Sequence, residues 1–272
     1  MTFVHRMWRN IAITAALAVG LVILDKAVDI AHYRSAFLTG WLFFGTLVCL
    51  ALYRSRKAVT TVPIGSAAAW LQMHTYLGAL SIVLYVLHVG WRIPDGPLEI
   101  ALAILYCLVS ASGIAGLFVL RILPRRLTRR GEQVIFERIP TFLARLRRDA
   151  ETVVLTSAKE TQSSTIRQFY VAHLQTFFGG PRNIVFHLAS SNRPLFTRLT
   201  EMDYMERYLS PSERTHAADL RKLVIKKDEL DFQYALQLSM KAWLLVHVPM
   251  TYALFVLALL HLVLVHAFGG GM

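Results

Sequence analysis

Five stretches of this chain are apolar over lengths that match a lipid bilayer: residues 8–30, 36–53, 67–91, 98–120 and 243–268. A hydrocarbon core about 30 Å thick takes roughly 20 helical residues to cross. Inside it every backbone N–H and C=O must be satisfied by the chain itself, so such runs have to be helices or parts of a closed barrel. Runs of this length, without strand-like alternation, predict helices. The composition agrees, since 55% hydrophobic and 17% charged residues is too apolar a balance for a soluble domain. The first run is the weakest span, because Asp25, Lys26 and Asp29 interrupt it. A cleaved signal peptide over residues 1–24 is the competing reading, but no small-residue cleavage site follows the run cleanly.

Charge sets the expected orientation, because short loops rich in Lys and Arg stay on the cytoplasmic side. Arg6 and Arg9 precede the first span, Arg54, Arg56 and Lys57 follow the second, and Arg121, Arg125, Arg126, Arg129 and Arg130 follow the fourth. The opposite ends hold only Lys26, Arg34 and Arg92. The N-terminus is therefore expected inside and the C-terminus outside, in a multi-pass protein of the inner (cytoplasmic) membrane. The net charge of +12 is concentrated beside the spans and in the long polar segment, where anionic lipid headgroups explain it and nucleic acid is not an expected partner. Cys49 and Cys107 both fall inside spans and offer no CxxC or iron–sulfur ligand set.

The chain divides in sequence into residues 1–120 with spans one to four, a polar segment 121–241, and residues 242–272 with span five. The polar segment is predicted to be mainly helical over residues 141–176 and 212–240, the second part running into span five. Breaks are expected at the FFGGPRN stretch, at residues 190–194 and at Ser210-Pro211. Gly179-Gly180-Pro181 reads as a turn and not as a phosphate cradle, since no strand–loop–helix unit surrounds it. The segment contains no GxGxxG, P-loop or Cys/His cluster. With 20 basic residues from Arg121 to Lys227 against 13 acidic ones from Glu132 to Asp231, it reads as a docking surface.

The chemistry lies in the histidines of spans three and five. His74 and His88 are 14 residues apart, and so are His247 and His261. Fourteen residues fall about 40° short of four helical turns, so each pair projects from nearly one face, with about 21 Å between levels. Both spans run from inside to outside under the expected orientation. His74 is then level with His247 near the cytoplasmic side, and His88 with His261 near the outer side. Neutral imidazole is a good ligand for haem iron, and a second imidazole at the sixth position favours electron transfer over oxygen binding. Ionisable residues inside a membrane are costly and mark function. The expected fold is an all-α bundle of five transmembrane helices holding two bis-histidine haems b, with a mainly helical cytoplasmic insertion between helices four and five. A haem-free transporter or scaffold whose histidines relay protons is the alternative from another class.

Other residues fit less specifically. Gly78, one turn after His74, would let a porphyrin approach the backbone, and Arg92, beyond His88, would pair with haem propionates. Lys241 would do so on the inner side, with interfacial snorkelling as the competing role for both cations. Ser110, Gly113 and Gly116 form a small-residue face that reads as helix packing. His173 and His187 are also 14 apart but flank the FFGGPRN break, so no single helix carries them. His266 lies about 140° around the helix from His261 and reads as an interfacial residue. His5, His32 and His216 show no pairing pattern.

On His74, His88, His247 and His261 the chain resembles dihaem membrane cytochromes of the ferric reductase and NADPH oxidase type, over roughly residues 67–120 and 243–268. Those proteins usually carry a flavin and nicotinamide domain after the last span. This chain has only Gly269, Gly270, Gly271 and Met272 there. The resemblance therefore implies a separate flavin or iron–sulfur subunit, docked on residues 121–241, and a cytochrome c or other redox protein at the outer face. The outline of five spans and two haems is also similar to the cytochrome b subunits of respiratory nitrate reductase. That likeness implies quinone as a possible further cofactor and a quinol-coupled oxidoreductase as the alternative function. Either way the chain is expected to transfer electrons, with no catalytic site of its own evident.

Overall fold

A computed structural model describes residues 3–31, 35–53, 66–90, 92–128 and 133–268. Arg34, Arg54, Arg56, Lys57, Arg129 and Arg130 of the expected charge pattern lie outside these residues, as does His32. Every regular element among the described residues is helical. The order is α1 (Phe3–Ile30), α2 (Ser35–Ala51), α3 (Ala67–Val89), α4 (Pro97–Leu127), α5 (Ile139–Thr161), α6 (Thr165–Phe169), α7 (Gln175–Phe178), α8 (Ile184–Leu188), α9 (Arg193–Glu206) and α10 (Pro211–Phe268). A single π-helical turn, Tyr170–Leu174, joins α6 to α7.

Four of these helices, α1, α3, α4 and α10, are long and apolar enough to cross a membrane. The stretch expected as span two forms the shorter apolar helix α2 of 17 residues, about 26 Å long, at the lower end of the spanning range. The polar stretch before span five and the span itself form one helix of 58 residues, with Pro249 inside it.

The chain divides into two compact units, to both of which α4 and α10 contribute. The first comprises residues 1–116 and 245–272. Here α2 packs most extensively on α3, and α1 lies against both. Leu47, Tyr106 and Leu254 are buried together with Phe43, Leu50 and Tyr85 around them, which draws α2, α3, α4 and α10 into one small core. Within it the Ser81 and Tyr106 hydroxyls are hydrogen-bonded at 3.0 Å, joining α3 to α4. The outward faces are apolar: Ile23 is 62% and Val256 63% exposed, which suits lipid and not water.

The second unit, residues 117–244, is helical with an apolar core of its own. Helix α5 buries Ile139, Leu143, Leu146, Ala150, Val154 and Ser157, a three-and-four spacing that makes one apolar stripe on an otherwise charged helix. That stripe packs against Leu174, Phe178, Met202, Leu220 and Val224 from the helices that follow. The FFGGPRN stretch does turn, but its left-handed residue is Asn183 (φ 59°), whereas Gly179 keeps an ordinary helical φ of −69°. Asparagine tolerates that conformation better than most residues.

Charges that looked solvent-facing in sequence are buried behind this turn. Lys227 and Asp231, one helical turn apart on α10, pair with both side chains fully buried. Lys227 Nζ also donates to the Gly180 carbonyl at 2.9 Å and lies 4.2 Å from the centroid of the Phe177 ring. Nearby, buried Asp228 stands 3.6 Å from His187, and the Arg126 guanidinium donates to the His187 and Leu188 carbonyls at 2.6 and 2.8 Å. Burial pushes the Asp231 carboxyl from 3.8 up to about 7, against the opposing pull of Lys227. The folded carboxyl thus holds its proton more tightly than the unfolded one. Its contribution to stability is largest at low pH and falls as pH rises through the window from about 4 to about 7.

Lys227→Met leaves that carboxyl buried without its cation and should cost about 3–5 kcal/mol near pH 8. Near pH 5, where the carboxyl is neutral, the loss should be smaller. The double substitution Lys227→Met with Asp231→Leu should recover most of it. Unfolding midpoints of the full chain in detergent at the two pH values measure all three effects.

Candidate functional site

Helix α3 carries His74 and His88, and α10 carries His247 and His261 within the first unit. The His88 and His261 rings face each other with centroids 6.5 Å apart and planes at 82°. His74 and His247 lie within electrostatic range of one another. The earlier histidine of one helix thus meets the earlier one of the other, and the later meets the later, so these stretches of α3 and α10 run parallel. Two imidazoles bound to opposite sides of one metal at about 2.0–2.1 Å have ring centroids about 6 Å apart, which the His88–His261 separation matches.

Hydrogen bonds determine which ring nitrogen each histidine offers. His88 Nδ1 is 3.0 Å from the Ala36 carbonyl on α2. A carbonyl only accepts, so Nδ1 bears the proton and Nε2 keeps the lone pair. On α4, the Ser112 hydroxyl donates to the Val109 carbonyl at 2.8 Å and stands 2.7 Å from His247 Nδ1. That contact holds the His247 ring against α4, whichever of the two atoms donates. Metal-binding histidines are characteristically oriented by such a bond from the other ring nitrogen. His74 packs 4.9 Å from the Tyr53 ring, with the Leu50 carbonyl near it, and its Nδ1 is buried without a hydrogen-bond partner. A buried imidazole nitrogen without a partner fits a ring whose lone pair a ligand could take.

Glycines make the room. A Cβ at Gly40 on α2 would lie 2.8 Å from His88 Cε1, so any other residue there displaces the ring. A Cβ at Gly113 would lie 3.7 Å from His247 Cε1. Gly113 therefore borders a histidine as well as belonging to the small-residue face of α4. A Cβ at Gly78, one turn after His74, would meet nothing within 4 Å, leaving the backbone open to a flat ligand. The sequence reading passed over Gly40 and Ser112. For Gly40 a faint signal exists, since an interior helical glycine costs about 1 kcal/mol relative to alanine and so calls for a reason.

The remaining candidates are placed differently. Helix α3 ends at Val89 because Gly90 adopts φ 66°, so Arg92 sits in the exposed loop beyond it and not on the helix one turn after His88. Lys241 is engaged by Glu137 and lies 4.2 Å from the Phe136 ring centroid. His266 packs against the Phe37 and Trp41 rings at 5.4 and 5.5 Å. His173 stacks on Phe169, while His187 lies buried near Asp228. His216 bonds Glu160 at 3.0 Å.

Among the described residues no three His, Cys, Asp or Glu side chains converge as a metal cage. A haem iron needs only two protein ligands, a number that a pair of histidines could supply. Comparison with known proteins finds no matching family model, no matching curated protein and no matching solved structure. The site therefore stands on its own geometry.

Gly40→Ala should push His88 off the Ala36 carbonyl at an overpacking cost of about 1–3 kcal/mol. Imidazole 15N shifts of selectively labelled protein should report a changed His88 tautomer balance with His247 unchanged.

Proposed function

We propose that this chain is a membrane cytochrome b subunit of a redox complex, with five transmembrane helices, α2 being the short one. Its N-terminus is inside, its C-terminus outside, and it resides in the inner membrane. His74 and His247 hold a haem b near the cytoplasmic face, and His88 and His261 hold another near the outer face. Haem supplies reversible one-electron chemistry when bound, here serving electron passage across the bilayer between a cytoplasmic partner on residues 121–241 and a redox protein outside. The observation that carries this reading is the double pairing of four imidazoles on parallel helices, one pair at a separation that suits a shared metal.

The chain's own residues do the rest. Paired imidazoles would hold the iron from both sides and so would favour electron transfer over oxygen binding. Ser112 and the Ala36 carbonyl hold two of the rings and strengthen their donor nitrogens. Gly40, Gly78 and Gly113 keep bulk away from the rings and their surroundings. The basic ends Arg9 and Arg121, with Arg125 and Arg126, argue for the cytoplasmic side. A negative charge moved outward across an inside-negative membrane gains about 2.3 kcal/mol per 100 mV, so outward transfer is the favoured direction.

Reduced-minus-oxidised spectra of the purified chain should show a b-type α-band. His74→Ala should remove about half of it, as loss of one of two bis-histidine sites requires. An absent band, or an undiminished one in the variant, contradicts the proposal.

A further inference from the structure

The second unit contains a cleft of about 370 Å³ that the histidine chemistry does not use. Three guanidinium side chains, Arg182, Arg193 and Arg198, line it, with Glu201 as its one acid. Glu201 is already committed, accepting from Arg198 at 2.8 Å and standing 3.5 Å from His173 Nδ1. Among the described residues neither Arg182 nor Arg193 enters an ion pair, so the cleft keeps a positive excess. Its opposite character is supplied by half-exposed Phe186 and by Pro194, which offer an apolar surface beside the cations.

The walls are built and held from behind. The loop carrying Arg182 is fastened by Lys227 at the Gly180 carbonyl. Arg126 ties down the end of α8, the helix that presents Phe186. Arg193 and Pro194 belong to the first turn of α9, whose amide ends add positive potential. A volume at the lower end of the usual ligand-site range, a pair of forked cations and a flat apolar flank select a small anion with an organic part.

We infer that this cleft binds an organic phosphate, with the phosphate between Arg182 and Arg193 and the organic portion against Phe186 and Pro194. Arginine suits this because its planar fork bonds phosphate oxygens in pairs. The phosphate arrives either on a soluble metabolite or as a lipid headgroup. The site is independent of the haem reading, which stands or falls on other residues.

The test uses the full chain in phosphatidylcholine nanodiscs, titrated calorimetrically with AMP, adenosine and inorganic phosphate. AMP should bind saturably and more tightly than inorganic phosphate, and adenosine least. Arg182→Gln and Arg193→Gln should each weaken AMP by about tenfold or more, while Arg167→Gln, on α6 outside the cleft, should not. Phe186→Ala should weaken AMP and leave inorganic phosphate unchanged, which separates a built site from general surface charge. Loss of AMP binding when phosphatidylinositol phosphate is added to the nanodiscs identifies a headgroup as the natural source, and retained binding identifies a soluble one. Absence of saturable AMP binding, or AMP affinity that survives both arginine substitutions, overturns the inference. Circular dichroism of each variant confirms that the helices are retained.

Discussion

An imidazole nitrogen inside an apolar bundle has to be bonded to something, and the first unit is organised around that constraint. Each polar atom buried there without a partner costs about 1–3 kcal/mol. His88 meets it through a carbonyl of α2 and His247 through a hydroxyl of α4. For His88 the bond takes the Nδ1 proton and leaves the lone pair on Nε2, and for His247 it fixes the ring against α4. His74 has a buried nitrogen still unmet. Three of the four histidines are thus tied by their Nδ1 surroundings to helices α2 and α4 or left with a buried nitrogen.

Helix packing follows from the same demand. A bonded imidazole needs its partner helix close, and the close approach of α2 to His88 is permitted only because position 40 is glycine. The loss of helical propensity at that residue is offset by a ring held in place. Ser112 next to Gly113 repeats the arrangement on α4, one residue orienting His247 and the next leaving it room. The second unit solves a related problem with charge. Lys227 and Asp231 are buried as a pair, and the further hydrogen bond of Lys227 to the Gly180 carbonyl fastens a turn that would otherwise be a loop of glycines and proline.

Much of the helical architecture was legible, because lipid-length apolar runs and the three-and-four stripe of α5 are one-dimensional patterns. The His-x13-His spacing was visible for the same reason, and the broken helix between His173 and His187 correctly warned that spacing alone means little. What the sequence concealed depends on a neighbouring helix. Ser112 is one position from the small-residue face noted in sequence, and only packing shows that it reaches His247. Gly40 looks like any membrane glycine until His88 is placed against it. The positive φ of Gly90 ends α3 two residues earlier than hydropathy alone suggests, which leaves Arg92 in the loop beyond it. The burial of Lys227 and Asp231 was equally hidden, because it depends on the turn before α8 that packs over them.

The most direct measurement is the haem content and spin state of the purified, unaltered chain. Pyridine haemochrome analysis combined with low-temperature electron paramagnetic resonance should give two haems b per chain, both low-spin and six-coordinate, as bis-histidine ligation requires. A chain purified intact from haem-replete cells that carries no haem, or only high-spin five-coordinate haem, would contradict the assignment of the four histidines.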